Sequence, residues 1–215
     1  MNLKPSRLPD KESLKKRAKA LAMLDAIICP EWEDRYYSFD QKWDENEQMA
    51  SMRNGCGDEW FILFASFGIG IKGLDHETEI AADDEFREEI AGQLPASFSS
   101  FYKEPSFSWD WVSFCYWLEP ETSEWQKVEN TASKYEDDND GSSDLLNILI
   151  DNETAYHEFV GWYYELEIPI ETIKKIYDLE PLSAVMIETL NKDISINQAI
   201  EFANEIGYPL SESLA

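Results

Sequence analysis

MASMRNGCGDEWFILFASFGIGIKGL, residues 49–74, decides the fold class. Residues 49–53 run into Asn54-Gly55-Cys56-Gly57, and 58–66 follow as the most apolar segment of the chain. Ser66-Phe67-Gly68 turns the chain again and 69–74 return. Asn54-Gly55 supplies the positive φ angles that a tight hairpin needs. In the middle segment Trp60, Ile62 and Phe64 fall on one side of a strand, and Phe61, Leu63 and Ala65 on the other. A strand apolar on both sides needs cover on both, which puts it at the centre of a sheet.

Toward the N-terminus, PEWEDRYYSFDQKWD (30–44) reads as a loop followed by a short aromatic strand at 35–39. Before it, Asp10 is placed to cap a helix in which Leu14, Ala18, Leu21, Asp25 and Ile28 recur at helical spacing, ending ahead of Pro30. Toward the C-terminus, 75–84 reads as an acidic loop, and 86–91 as a short helix closed by Gly92. Residues 95–102 read as another short helix. A second two-faced strand spans 111–118, with Trp111, Cys115 and Trp117 on one side and Val112, Phe114, Tyr116 and Leu118 on the other. Residues 125–128 pair back as an edge strand. NTASKYEDDNDG (130–141) is the clearest break, a polar acidic linker.

Beyond it the hydrophobic period changes from two to 3.6. Ser143 is placed to cap 144–150, Asn152 to cap 153–165, and Pro169 and Pro181 to open 170–177 and 182–190. Ser195-x-x-Gln198 matches a capping box, and Gly207 and Pro209 end the last helix. The expectation is an α+β protein, a mainly antiparallel sheet flanked by helices with a helical C-terminal section. Its parts are an N-terminal helix packed on the body (1–29), the sheet with short helices (30–129), the linker (130–141) and the helical section (142–215).

The chain has 215 residues, 43% of them hydrophobic, and 29 aromatics (8 Trp, 10 Tyr, 11 Phe), enough for a packed core. Net charge is −26, unevenly spread. Residues 1–19 hold seven Lys or Arg against two acids, while residues 20–215 hold 11 basic and 42 acidic side chains. Such a body repels phosphate backbones and anionic membranes and attracts basic partners, so neither nucleic acid nor membrane is an expected partner. The Lys15-Lys16-Arg17 run reads as a helix face drawn to the protein's own acids. Three scattered cysteines without Cys-x-x-Cys suit free thiols in a reducing cytoplasm, and no signal peptide opens the chain. The longest nearly apolar run, residues 60–71, is too short to span a bilayer.

With two histidines the chain supports few catalytic schemes. His157-Glu158 begins like a zinc-protease motif, but Gly161 stands where the second histidine should. Glu136, Asp138 and Asp140 occupy calcium-loop positions ahead of Gly141, but Asn147 replaces the closing glutamate. Carboxylates beside tryptophans, as at Glu31-Trp32-Glu33, arise by chance among 44 acids and do not make a glycosidase pair. Gly68-Ile69-Gly70-Ile71-Lys72-Gly73 lacks the ending and the following helix of a phosphate loop, and its glycines fit close packing in a strand. No cofactor and no metal site are expected. The remaining polar cluster is Arg53, Asp58, Glu59 and His76, with Trp43 and Glu47 nearby in sequence. Arg53 and Asp58 flank one turn and are expected to form a cross-strand ion pair. The alternative is a polar ligand pocket formed where turn 54–57 meets loop 75–79.

The stretch AMLDAIICPEWEDRYYSFDQKWDENEQMASMRNGCGDEWFILF, with GLDHE, SFCYW and a late IGYP, resembles a family of uncharacterised bacterial proteins. The resemblance implies a shared architecture and a bacterial cytoplasmic origin, and no activity. Small size, acidity and aromatic content, together with Leu94-Pro95-x-x-Phe98, are similar to acidic immunity proteins of the Smi1/Knr4 type. The leading expectation is a non-enzymatic acidic binding protein for a basic protein partner. The alternative is an enzyme or small-ligand binder with a pocket around Arg53, Glu59 and His76.

Overall fold

The computed structural model describes residues 2–130 and 139–215. Six strands form one antiparallel meander in the order β1-β2-β3-β4-β5-β6. They are β1 (Tyr37–Asp44), β2 (Glu47–Arg53), β3 (Glu59–Ala65), β4 (Gly68–Leu74), β5 (Phe114–Leu118) and β6 (Gln126–Lys127). The apolar ribbon β3 lies inside the sheet, and every residue after Glu59 in it is buried. Its two sides separate as the alternation requires: Trp60, Ile62 and Phe64 enter one core, and Phe61, Leu63 and Ala65 enter another. The fold is α+β, with helices on both sides of the sheet.

The first core lies under α1 (Lys11–Ile28), which the Asp10 carboxylate caps by accepting the Glu12 and Ser13 N–H groups. The C-terminal helices α4 (Ser142–Leu145), α5 (Glu153–Tyr163), α6 (Ile170–Tyr177), α7 (Ala184–Leu190) and α8 (Ile196–Ile206) bury their apolar faces in the same cluster as α1. At its centre sits one carboxylate. Asp25, fully buried, accepts hydrogen bonds from the backbone N–H of Tyr36 (3.0 Å) and Tyr37 (2.8 Å). It also accepts the hydroxyls of Tyr156 (2.6 Å) and Tyr164 (3.0 Å). Burial pushes its carboxyl up to about 6, with these four donors pulling the other way.

The second core lies between the sheet and α2 (Asp84–Gln93), α3 (Ser99–Lys103) and the turn Pro105–Phe107. Phe86, Ile90, Phe101 and Phe107 cover Phe61, Leu63, Cys115 and Trp117. The glycines of β4 permit this closeness. A Cβ on Gly70 would stand 2.6 Å from the Phe101 ring, and one on Gly73 would stand 1.9 Å from the Phe114 ring on the opposite face.

Several local expectations need correction. The first strand is not 35–39 but Tyr37–Asp44, because Asp25 claims the N–H groups of Tyr36 and Tyr37 and pairing with β2 continues to Asp44. In the turn at 54–57 the positive φ angles belong to Gly55 and Gly57, while the Asn54 side chain accepts the N–H groups of Cys56 and Asp58. Loop 75–84 contains a helical turn at Glu79–Ala82. Trp111 and Val112 precede β5, so Val112 joins the second core and Trp111 is exposed. Gly141 rather than Ser143 precedes α4, and Ser183 rather than Pro181 opens α7 by capping Met186. Of the 130–141 segment, 131–138 lie outside the described residues. Asp140 is buried, with Lys127 at 2.5 Å and Ser142 Oγ at 2.6 Å, so the end of that segment is anchored.

Candidate functional site

The register sets Arg53 opposite Glu59 and Glu59 opposite Leu74, one row at one end of the sheet, with His76 two residues on. The side chains of that row nevertheless part. Glu59 pairs with Lys72 at 2.6 Å, and the lysine is entirely buried over the Phe61 ring. Asp58 turns to His76: its Oδ1 accepts the His76 N–H (3.0 Å) and lies 2.7 Å from His76 Nδ1, while Oδ2 accepts from Asn54 Nδ2 (2.6 Å). With both oxygens engaged, Asp58 forms no ion pair with Arg53, contrary to the cross-strand expectation. The hydrogen bond to Asp58 holds the His76 imidazole above its ordinary pKa. Partial burial opposes ionisation of Asp58, yet the hydrogen bonds from His76 and Asn54 hold its carboxyl below the usual value. Asp58, Asp75 and His76 bring one potential metal-ligand atom each within 4.8 Å of one another. Their hydrogen bonds read as a brace between the turn at 54–57 and the end of β4.

Trp43 stacks on Phe107 with ring centroids 6.0 Å apart. Glu47 opposes Asp44 where β1 turns into β2, about 20 Å along the strand from Arg53. Burial pushes the Glu47 carboxyl up, and Asp44 adds to it. The six candidate residues therefore occupy three places: Trp43 and Glu47 at one end of the sheet, Asp58 with His76 at the other, and Arg53 and Glu59 between separate partners.

The concave surface gathers instead around loop 29–35, which leaves α1 at Pro30. Arg35 folds this loop on itself, donating Nε to the Cys29 carbonyl (3.1 Å) and a terminal nitrogen to the Pro30 carbonyl (2.7 Å). Its guanidinium lies 4.1 Å from the Phe202 ring centroid of α8. The turn Trp32–Asp34 then presents Trp32, 47% exposed, with Arg53 at 5.3 Å and Arg35 at 5.8 Å from its ring. On one side of Trp32 a cleft of about 630 Å³ opens between the loop, strands β1 and β2, and α8, lined among others by Trp43, Met49, Phe61, Asp40 and Glu205. On the other side a groove of about 640 Å³ runs past Gly55 to Tyr163 and Tyr164, rimmed by Glu33 and Asp34. Trp162, 78% exposed, stands beside it with its ring 6.1 Å from that of Tyr163. The two concavities take in Trp43 and Arg53 and leave out Glu47, Asp58, Glu59 and His76.

The sequence reading set Trp32 aside as a chance neighbour of Glu31 and Glu33 and singled out no role for Arg35, Tyr163 or Phe202. The available signal was the proline break at Pro30 followed by a tryptophan between two acids, which no core-facing pattern explains. No protein-family model matches the chain, and neither a curated protein nor a solved structure matches it.

Proposed function

We propose that this chain is a non-enzymatic acidic binding protein that docks a basic protein partner through the face around Trp32. One observation carries the reading: Trp32 and Tyr163 line one groove rimmed by Glu33 and Asp34, and the exposed Trp162 lies against Tyr163. Tryptophan, tyrosine and arginine are the side chains that most often anchor protein interfaces, and solvent-exposed tryptophans of this size otherwise cost hydrophobic burial. The occupant is cationic by charge complementarity, since residues 20–215 hold 42 acids against 11 bases. The basic helix does not cancel this field outward. Lys16 pairs with Asp178, Arg17 lies over Tyr177, and Lys19 donates to the Gly207 carbonyl, all on the protein's own C-terminal section. A field of that kind speeds encounter with a positively charged surface.

Three free thiols support a reducing setting for this reading, and among the described residues no helix is long and apolar enough to cross a membrane. An immunity-like role, neutralising a basic toxin, is its most specific form. The test is affinity capture with the full chain at low and high salt, beside the double variant Trp32→Ala/Trp162→Ala. Capture of a basic protein that is lost both in high salt and in the double variant is the expected result. Equal capture by the double variant, or no basic protein at either salt, overturns the proposal.

A further inference from the structure

We infer that the cleft on the β1–β2 side of Trp32 binds a small organic monoanion with a flat apolar body, an aryl carboxylate. This goes beyond the docking proposal and uses a different concavity. Its volume of about 630 Å³ is in the range of sites for small ligands. The floor is apolar: Met49 and Phe61, both buried at the margin of the second core, line it together with Trp43.

The other end holds two guanidiniums, Arg35 and Arg53, with Glu31 also in the lining. In a chain with 44 acids, neither Arg35 nor Arg53 has a carboxylate within ion-pair distance among the described residues. Arg35 is held in place by two carbonyls and the Phe202 ring, so it enters binding already ordered. Arg53 lies on Trp32, and its guanidinium makes no hydrogen bond among the described residues. It keeps a planar fork of N–H donors that matches a carboxylate in geometry.

The acids in the cleft set the polarity of the ligand. Burial pushes the Glu205 carboxyl up, with Arg35 opposing and Asp40 reinforcing the shift, so a second negative charge is unwelcome near α8. A monoanion is favoured over a dianion, with its charge at Arg53. Arg53 and Met49 lie on the same side of β2 four residues apart, about 13 Å, which suits a carboxylate followed by two fused rings.

Naphthoate titrated calorimetrically into the full chain is the probe, beside neutral naphthamide, cationic naphthylmethylamine and dianionic naphthyl phosphate. Naphthoate should bind about tenfold or more tightly than the amide, the worth of one charge-assisted hydrogen-bonded contact, with the phosphate weaker than the carboxylate. Arg53→Gln should bring naphthoate down to the level of the amide with an unchanged melting temperature, and Trp43→Ala should weaken both aromatic probes together. No binding of naphthoate at millimolar concentration overturns the proposal. So does equal or tighter binding of the amide or the amine, or an Arg53→Gln variant that binds naphthoate like the parent. Trp162→Ala belongs to the docking test alone, so the two proposals fail separately.

Discussion

The two faces of the sheet are built from the same six strands and end differently. Under α1 the face is closed from edge to edge: β1 offers Tyr37 and Phe39 to it, β2 offers Ala50 and Met52, and all are buried. On the opposite face the same two strands offer Ser38, Asp40, Ser51 and Arg53, with Met49 the one apolar exception among these. The helices at 84–107 cover the aromatic half over β3–β5 and stop where this polar half begins. Cover thus follows side-chain character along each strand: Ser38, Ser51 and Met49 are still buried, while Asp40 and Arg53 on this half reach the cleft. The contrast extends to charge. The closed face tolerates Asp25 because four donors converge on it, whereas the other face holds Lys72 against the partly exposed Glu59.

The contrast is broken most forcefully at Asp25. Asp25→Ala leaves two buried backbone N–H groups and two tyrosine hydroxyls without an acceptor, and should cost about 3–5 kcal/mol in urea unfolding. Asp25→Asn, which keeps one acceptor oxygen, should cost less and carry a pH signature. A carboxyl pushed up to about 6 in the fold holds a proton that the unfolded chain, near 3.8, has lost. Wild-type stability should therefore fall relative to Asp25→Asn between about pH 4 and pH 6 and run parallel above that range. A difference flat across this range would show that burial does not govern the group.

Glycine substitutions compare the tightness of the two faces. Gly73→Ala presses on Phe114 in the closed core and should cost about 1–3 kcal/mol; Gly70→Ala presses on Phe101, carried by the five-residue α3, and should cost less. If Gly70→Ala costs as much, the covered half of the second face is as rigid as the first. At the cleft wall, Ser38→Ala removes a 2.6 Å hydroxyl contact with Ser51 and should cost about 1 kcal/mol or less. The smallest effect belongs to His76. Its pKa is raised by Asp58, so the wild type's advantage over His76→Asn is complete below about pH 6.5 and fades as pH rises through the raised value, as paired urea titrations would show.

Much of the scaffold is readable from local pattern. The two-sided apolar alternation of 60–65, within the segment read as 58–66, is sufficient to place β3 (Glu59–Ala65) inside the sheet, and Pro169 and Ser195 mark the starts of α6 and α8 within a residue. Asp25 fell on the buried side of α1 by period alone. Why a carboxylate belongs there was invisible, since two of its donors arrive from α5 and its C-terminal end. The concave face was unreadable for the same reason. Arg35 is fixed by the Cys29 and Pro30 carbonyls and by Phe202, far along the chain, and Trp32 is defined by what fails to cover it. Nearness in sequence grouped Arg53, Glu59 and His76, whereas the side chains choose their partners by strand register and by competition for Asp58.

The segment 3–9 ties distant parts of the chain together. Leu3 donates its N–H to Ser142 Oγ and accepts the Tyr116 hydroxyl through its carbonyl, and Pro9 accepts the Trp125 indole N–H. Residues 3 and 9 are thus fastened by residues more than 110 positions further along the chain. α1 packs on β1 and on α6, α7 and α8, so the first core closes only once elements far apart along the chain have met, a non-local closure that slows folding.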